Sequence, residues 1–150
     1  MEKEYYGPKI EEFHVGFEYE YQDMLPHGGG VYWVKGVLKS NDNIESIYES
    51  NDWYESPRVK YLDKDDIESL GFNDKTKHLP SPSSFYKIDS NNVFQIQIYW
   101  DMLRRSRENL IRIYKGELHN YPYTEIFRGN IKNKSELKVL LNQLGITNNS

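Results

Sequence analysis

The sequence predicts an α+β fold: a single domain built on a twisted antiparallel sheet of about six strands, with a C-terminal amphipathic helix and two short helices. Three observations carry this reading. Several runs alternate apolar and polar residues with a period of two, the signature of half-buried strands. Only 37% of residues are hydrophobic while 15% are aromatic, with 13 Tyr, 6 Phe and 3 Trp, so the core leans on rings, which suit a pleated surface. Near the end, Leu137, Leu140, Leu141 and Leu144 recur at the spacing of one helical face.

With 150 residues, the chain has the usual size of one domain and buries roughly 70% of its unfolded surface. Residues 1–9, charged and holding Gly7-Pro8, read as a flexible arm. Residues 10–146 read as the globular domain, and 147–150 as a polar tail. Phe13, Val15, Phe17, Tyr19 and Tyr21 alternate with polar neighbours, predicting a first strand from Phe13. Pro26-His27-Gly28-Gly29-Gly30 breaks it, and Val31 to Leu38 resumes as the second arm of an antiparallel hairpin. Asp42 with Glu45 forms a capping-box pattern before Ile44, Ile47 and Tyr48, predicting a short helix over 43–51.

A brief strand follows over 58–62. Asp63 then caps a second short helix, whose first turn collects Asp65 and Asp66 against the positive end of its dipole and which Gly71 and Phe72 close. Residues 73–84, with Pro80 and Pro82, read as a loop. Ser84–Asp89 and Val93–Trp100 form a predicted hairpin turning through Ser90-Asn91-Asn92. In its second arm Phe94, Ile96, Ile98 and Trp100 face one side, with Gln95, Gln97 and Tyr99 on the other. Strands over 110–115 and 123–128 end at Gly116 and Gly129. Asn133 and Glu136 start the final helix, and Gly145 with Ile146 ends it.

Charge is uneven. Residues 1–75 hold 8 Lys+Arg against 17 Asp+Glu, and residues 76–150 hold 11 against 6. This polarity suits steering of an anion or head-to-tail association into a homo-oligomer; the plainer reading is local neutralisation within the fold. Cysteine is absent, which removes disulfides, thiolate chemistry and Cys-ligated zinc. No apolar run suits a secretory signal or a membrane span, so a cytoplasmic protein without membrane attachment is expected.

Candidate chemistry is sparse. His14, His27, His78 and His119 lack metal-ligand spacing, and no metal or cofactor is expected. Gly28-Gly29-Gly30 leads into a strand rather than a helix, so it reads as a hairpin tip and not a phosphate loop. Asp63-Lys64-Asp65-Asp66 lacks the glycine and distal glutamate of a calcium loop. Glu18 and Glu20 lie on one strand face, where a hydrolase would place an acid and a base; with His27 they are the residues an unrecognised hydrolase would use, and surface solubility explains them as well. No nucleophile motif occurs, so the expectation is a non-enzyme.

One cluster stands apart. Arg104, Arg105 and Arg107 follow Tyr99 and Trp100 and precede Arg112 and Tyr114. Guanidinium forks bind phosphate bidentately and Tyr or Trp rings stack on bases, so these seven residues form a candidate site for an anionic, nucleotide-like small molecule. The plainer reading is a solvated basic turn between strands. A sequence pI of 5.6 disfavours duplex nucleic acid, which rewards a wide basic surface.

Phe17-Glu18-Tyr19-Glu20, Arg58-Val59-Lys60-Tyr61-Leu62-Asp63, Asp66-Ile67-Glu68-Ser69-Leu70-Gly71 and Ile131-Lys132-Asn133-Lys134-Ser135-Glu136-Leu137-Lys138 occur in that order. With them the chain resembles an uncharacterised family of small accessory proteins found in bacteria and their phages, over most of its length after residue 10. The resemblance implies a phage or mobile-element setting, with counter-defence as one role, and no catalytic residues. The function expected is sequestration of an anionic nucleotide-like molecule. The alternative is a protein-interaction or virion-associated module that binds a host protein.

Overall fold

Antiparallel pairing accounts for every strand ladder among the described residues. In the computed structural model, residues 3–40, 56–74, 82–100 and 109–146 are described. The class is α+β, as predicted. The sheet organisation differs from the one sheet of about six strands expected: the strands form two two-stranded ladders and a five-stranded sheet, and the chain divides into two compact units, residues 1–61 and 62–150. Each unit gathers its own apolar cluster, which is the physical reason for the division. The helix predicted over 43–51 lies outside the described residues.

In the first unit, β1 (Tyr5–Tyr6) pairs with β4 (Val59–Lys60), and β2 (Glu18–Met24) with β3 (Val31–Val37). Residues 5 and 6 fall in the segment expected to be a loose arm. They are ordered by the β4 ladder and by Tyr6, whose ring packs on Tyr61 at 4.7 Å and whose hydroxyl donates to Glu12 at 2.7 Å. The first long strand begins at Glu18 rather than Phe13, because a 3-10 turn over Ile10–Glu12 and a left-handed Gly16, φ 91°, interrupt extension. Val15 is consequently exposed, while Phe13 and Phe17 turn inward with Leu38 and Val59.

The second unit places β5 (Asn73–Asp74), β6 (Ser83–Asp89), β7 (Asn92–Tyr99), β8 (Asn109–Glu117) and β9 (Asn120–Ile131) side by side in that order. One face carries Phe85, Phe94, Ile96, Ile98, Ile111 and Ile113, and it packs against α1 (Lys64–Ser69) and α2 (Lys134–Gln143) through Ile67, Leu70, Leu137 and Leu141. Each fully buried side chain of this size contributes about 1.5–3 kcal/mol.

Both helices begin at the expected caps, and each is followed by its expected left-handed glycine, Gly71 and Gly145. At α1, Asp63 accepts from the Asp66 amide at 2.9 Å while Asp66 accepts from the Asp63 amide at 3.2 Å. At α2, Asn133 accepts from the Glu136 amide at 2.9 Å, but Glu136 reaches past the cap to the Lys132 amide at 2.7 Å. The Ile146 amide donates to Leu141 O at 2.8 Å and that of Gly145 to Asn142 O at 3.1 Å, a complete Schellman closure about Gly145, φ 74°.

Two glycines read as strand ends lie inside strands instead. β8 continues through Gly116 to Glu117, and β9 spans Asn120–Ile131, through Gly129. The missing Cβ admits a neighbouring ring: Tyr123 occupies the space over Gly116, and Phe127 Cζ would stand 2.7 Å from a Cβ on Gly129. The chain turns instead at Leu118-His119, with His119 left-handed, φ 63°.

Candidate functional site

The face of the five-stranded sheet opposite the helices is polar and aromatic. Alternation and register place Tyr86 on β6, Gln95, Gln97 and Tyr99 on β7, and Arg112, Tyr114 and Gly116 on β8 on this outer face, because their neighbours Phe85, Ile96, Ile98, Ile111 and Ile113 point to the core. Gln97 faces Arg112, which faces Arg128 on β9; Gln95 faces Tyr114, which faces Glu125.

At its centre two guanidinium groups share one carboxylate. Glu125 accepts from Arg112 at 2.6 Å and 3.1 Å, and from Arg128 at 2.8 Å and 3.1 Å. The Arg128 and Arg112 hydrogen bonds hold the Glu125 carboxyl down at about 2. The triad therefore keeps one net positive charge at neutral pH. Arg112 also lies close to the Tyr99 hydroxyl and over the Tyr114 ring, 5.4 Å from its centroid. Tyr114 in turn donates to Gln97 Oε1 at 3.4 Å.

Further along the same face three tyrosines join. Tyr123 covers Gly116, Tyr121 stacks on Tyr123 with centroids 4.3 Å apart and planes at 26°, and the Tyr121 hydroxyl lies close to those of Tyr123 and Tyr86. Burial, followed by contact with Tyr121, raises the ionisation of Tyr86 and Tyr123 above the ordinary phenol value. Tyr121 itself is 70% exposed.

Of the residues singled out in the sequence, Tyr99, Arg112 and Tyr114 share this face. Trp100 does not: its ring packs against the core cluster and its Nε1 donates to Ser83 Oγ at 2.8 Å, as the alternation with Phe94, Ile96 and Ile98 requires. Arg104, Arg105 and Arg107 lie outside the described residues. Sequence reasoning missed Tyr86, Tyr121, Tyr123, Glu125 and Arg128. Starting the last strand at Tyr123 left Tyr121 outside it, and a bulge in β9 reversed the alternation that would otherwise have set Glu125 and Arg128 on opposite faces.

Elsewhere, Glu18 and Glu20 lie on one face of β2, and Glu20 is held by Arg58 at 2.9 Å. His27 occupies the turn between β2 and β3 with φ 66°. Among the described residues no group of three or more His, Asp or Glu side chains has the geometry to hold a metal ion, and no helix is long and apolar enough to cross a membrane.

No family model matches the chain, and neither does any curated protein or solved structure.

Proposed function

We propose that the protein is a non-catalytic binding protein whose outer sheet face captures an anionic, nucleotide-like guest. The observation that carries this reading is the pair Arg112 and Arg128 around Glu125, with Tyr99 and Tyr114 beside it. Two guanidinium forks and one carboxylate leave a charge for a phosphate to neutralise, and flanking rings give a base a surface to stack on. Arg104, Arg105 and Arg107, which follow β7 in sequence, add donors under the same reading. In the phage or mobile-element setting that the resemblance implies, such a protein acts by sequestration.

The test is thermal unfolding against a panel of linear and cyclic nucleotides. A guest that binds only the folded state raises the melting temperature. Arg112→Ala should abolish the rise, and a flat response across the panel counts against the reading.

A second reading, an interaction module, draws on the β2–β3 ribbon. Met24, Leu25, Val31 and Tyr32 are each exposed at its tip, and Met24 faces Val31 directly. A second copy is the partner proposed here, since the two halves of the sequence carry opposite net charge. Sedimentation of the wild type and of Met24→Lys tests it: a dimer that the substitution dissociates supports this reading, and a monomer at high concentration removes it.

A further inference from the structure

The outer face extends well beyond what one nucleotide needs. Along β8, Arg112 and Gly116 are four residues apart, about 13 Å in an extended strand. The cationic pole therefore lies at one end and the Tyr121–Tyr123 stack, which covers Gly116, at the other. Tyr114 stands between them on the same face. A phosphate seated at Arg112 and Arg128 leaves its own base near Tyr114, within the reach of one nucleotide, and leaves Tyr121 unused.

Tyr121 has the features of a stacking platform. Its ring is 70% exposed and one side is supported by Tyr123 at 4.3 Å, which is itself seated over Gly116, so the orientation is set before any guest arrives. A preset ring loses little freedom on binding a base. Resting on the reading above, we propose that the guest is a short single strand of nucleic acid, with one phosphate at the Arg112–Arg128 pair and successive bases on Tyr114 and Tyr121.

Charge and shape favour a single strand over a duplex. The face offers rings in a row, and only unpaired bases can present their planes to them. The residual charge is local, one guanidinium in excess, whereas a duplex rewards a broad basic surface that a pI of 5.6 does not provide.

Binding of a fluorescently labelled hexanucleotide, as DNA and as RNA, is to be compared with that of the corresponding mononucleotide. The proposal expects the hexanucleotide to bind at least tenfold more tightly. Tyr121→Ala should weaken the hexanucleotide about fivefold to a hundredfold, the loss of one stacked base, and leave the mononucleotide unchanged. Arg112→Ala, with Arg128→Ala as its check against misfolding, should weaken both. Equal affinity for the two lengths, or a Tyr121→Ala protein that binds the hexanucleotide normally, overturns the single-strand proposal while leaving nucleotide capture in place. Failure of the wild type to bind either length overturns both.

Discussion

Arg112 Nη2 stands 2.6 Å from Glu125 Oε2 although the two residues are not partners in the β8–β9 ladder, where Arg112 faces Arg128 and Glu125 faces Tyr114. The register shifts by one between Ile113 and Tyr114. Continued without the shift from Ile113 opposite Phe127, the ladder would set Ile126 against Tyr114 and send Glu125 to the core face. Ile126 is instead the extra residue of a bulge, packing with Phe127 against the core, and Glu125 returns to the outer face between the two arginines.

That arrangement predicts an acid-sensitive share of stability. Glu125 is held at about 2 in the folded protein against 4.5 as its ordinary value. A carboxylate depressed by folding contributes stability that is complete above its unfolded pKa and is lost as pH falls through the folded one, here between about 4.5 and about 2. Urea midpoints measured across that range should fall more steeply for the wild type than for Glu125→Gln; identical slopes would remove the triad from the acid response.

Arg58 predicts a cost in the first unit. Its guanidinium lies 3.8 Å from the Tyr5 ring centroid and 3.9 Å from that of Trp33, and it donates to Glu20 Oε1 at 2.9 Å and 3.2 Å. The cation is thus held between two rings while it joins β2 to the segment before β4. Arg58→Lys keeps the charge but loses the planar stack, and it should cost about 1–2 kcal/mol in urea unfolding. Wild-type stability in that variant would show that only charge matters there.

What could be read in the sequence, and what could not, follows from how local each signal is. The caps at Asp63 and Asn133, the Gly145 closure and the alternation of Phe94, Ile96, Ile98 and Trp100 depend on residues a few positions apart, and each appears where expected. Gly116 and Gly129 misled because a glycine admitting a ring from a neighbouring position looks, in sequence, like a glycine ending a strand. The Arg112–Glu125–Arg128 triad depends on a bulge, and one extra residue reverses every side chain beyond it. The grouping of Trp100 with Tyr99 failed for a simpler reason: adjacent strand residues point to opposite faces.

Asn133 predicts a larger cost than a surface cap. Its side chain is buried, 1% exposed, and accepts from the Glu136 amide at the start of α2. Asn133→Ala leaves that amide without its acceptor and should cost about 1–2 kcal/mol, whereas Asn133→Asp, which preserves an oxygen acceptor at this position, should cost less. Leu141→Ala, which empties a fully buried position of the same helix, should cost about 2–5 kcal/mol. Equal stability of Asn133→Ala and the wild type in chemical denaturation would show that the cap is dispensable.

Gly116 predicts a coupling that only a pair of substitutions reveals. A Cβ at this position would collide with the Tyr123 ring, so Gly116→Ala must displace the ring that supports Tyr121. The expected loss is about 1–3 kcal/mol, as for overpacking of a filled site. With Tyr123→Ala already in place the collision is gone, and the same change should become neutral or stabilise by up to about 1 kcal/mol, because alanine loses less backbone entropy than glycine in a strand. A double-mutant cycle in urea reads the difference directly. If Gly116→Ala destabilises equally in both backgrounds, the ring is not what requires glycine there, and the rigid support of Tyr121 goes with it.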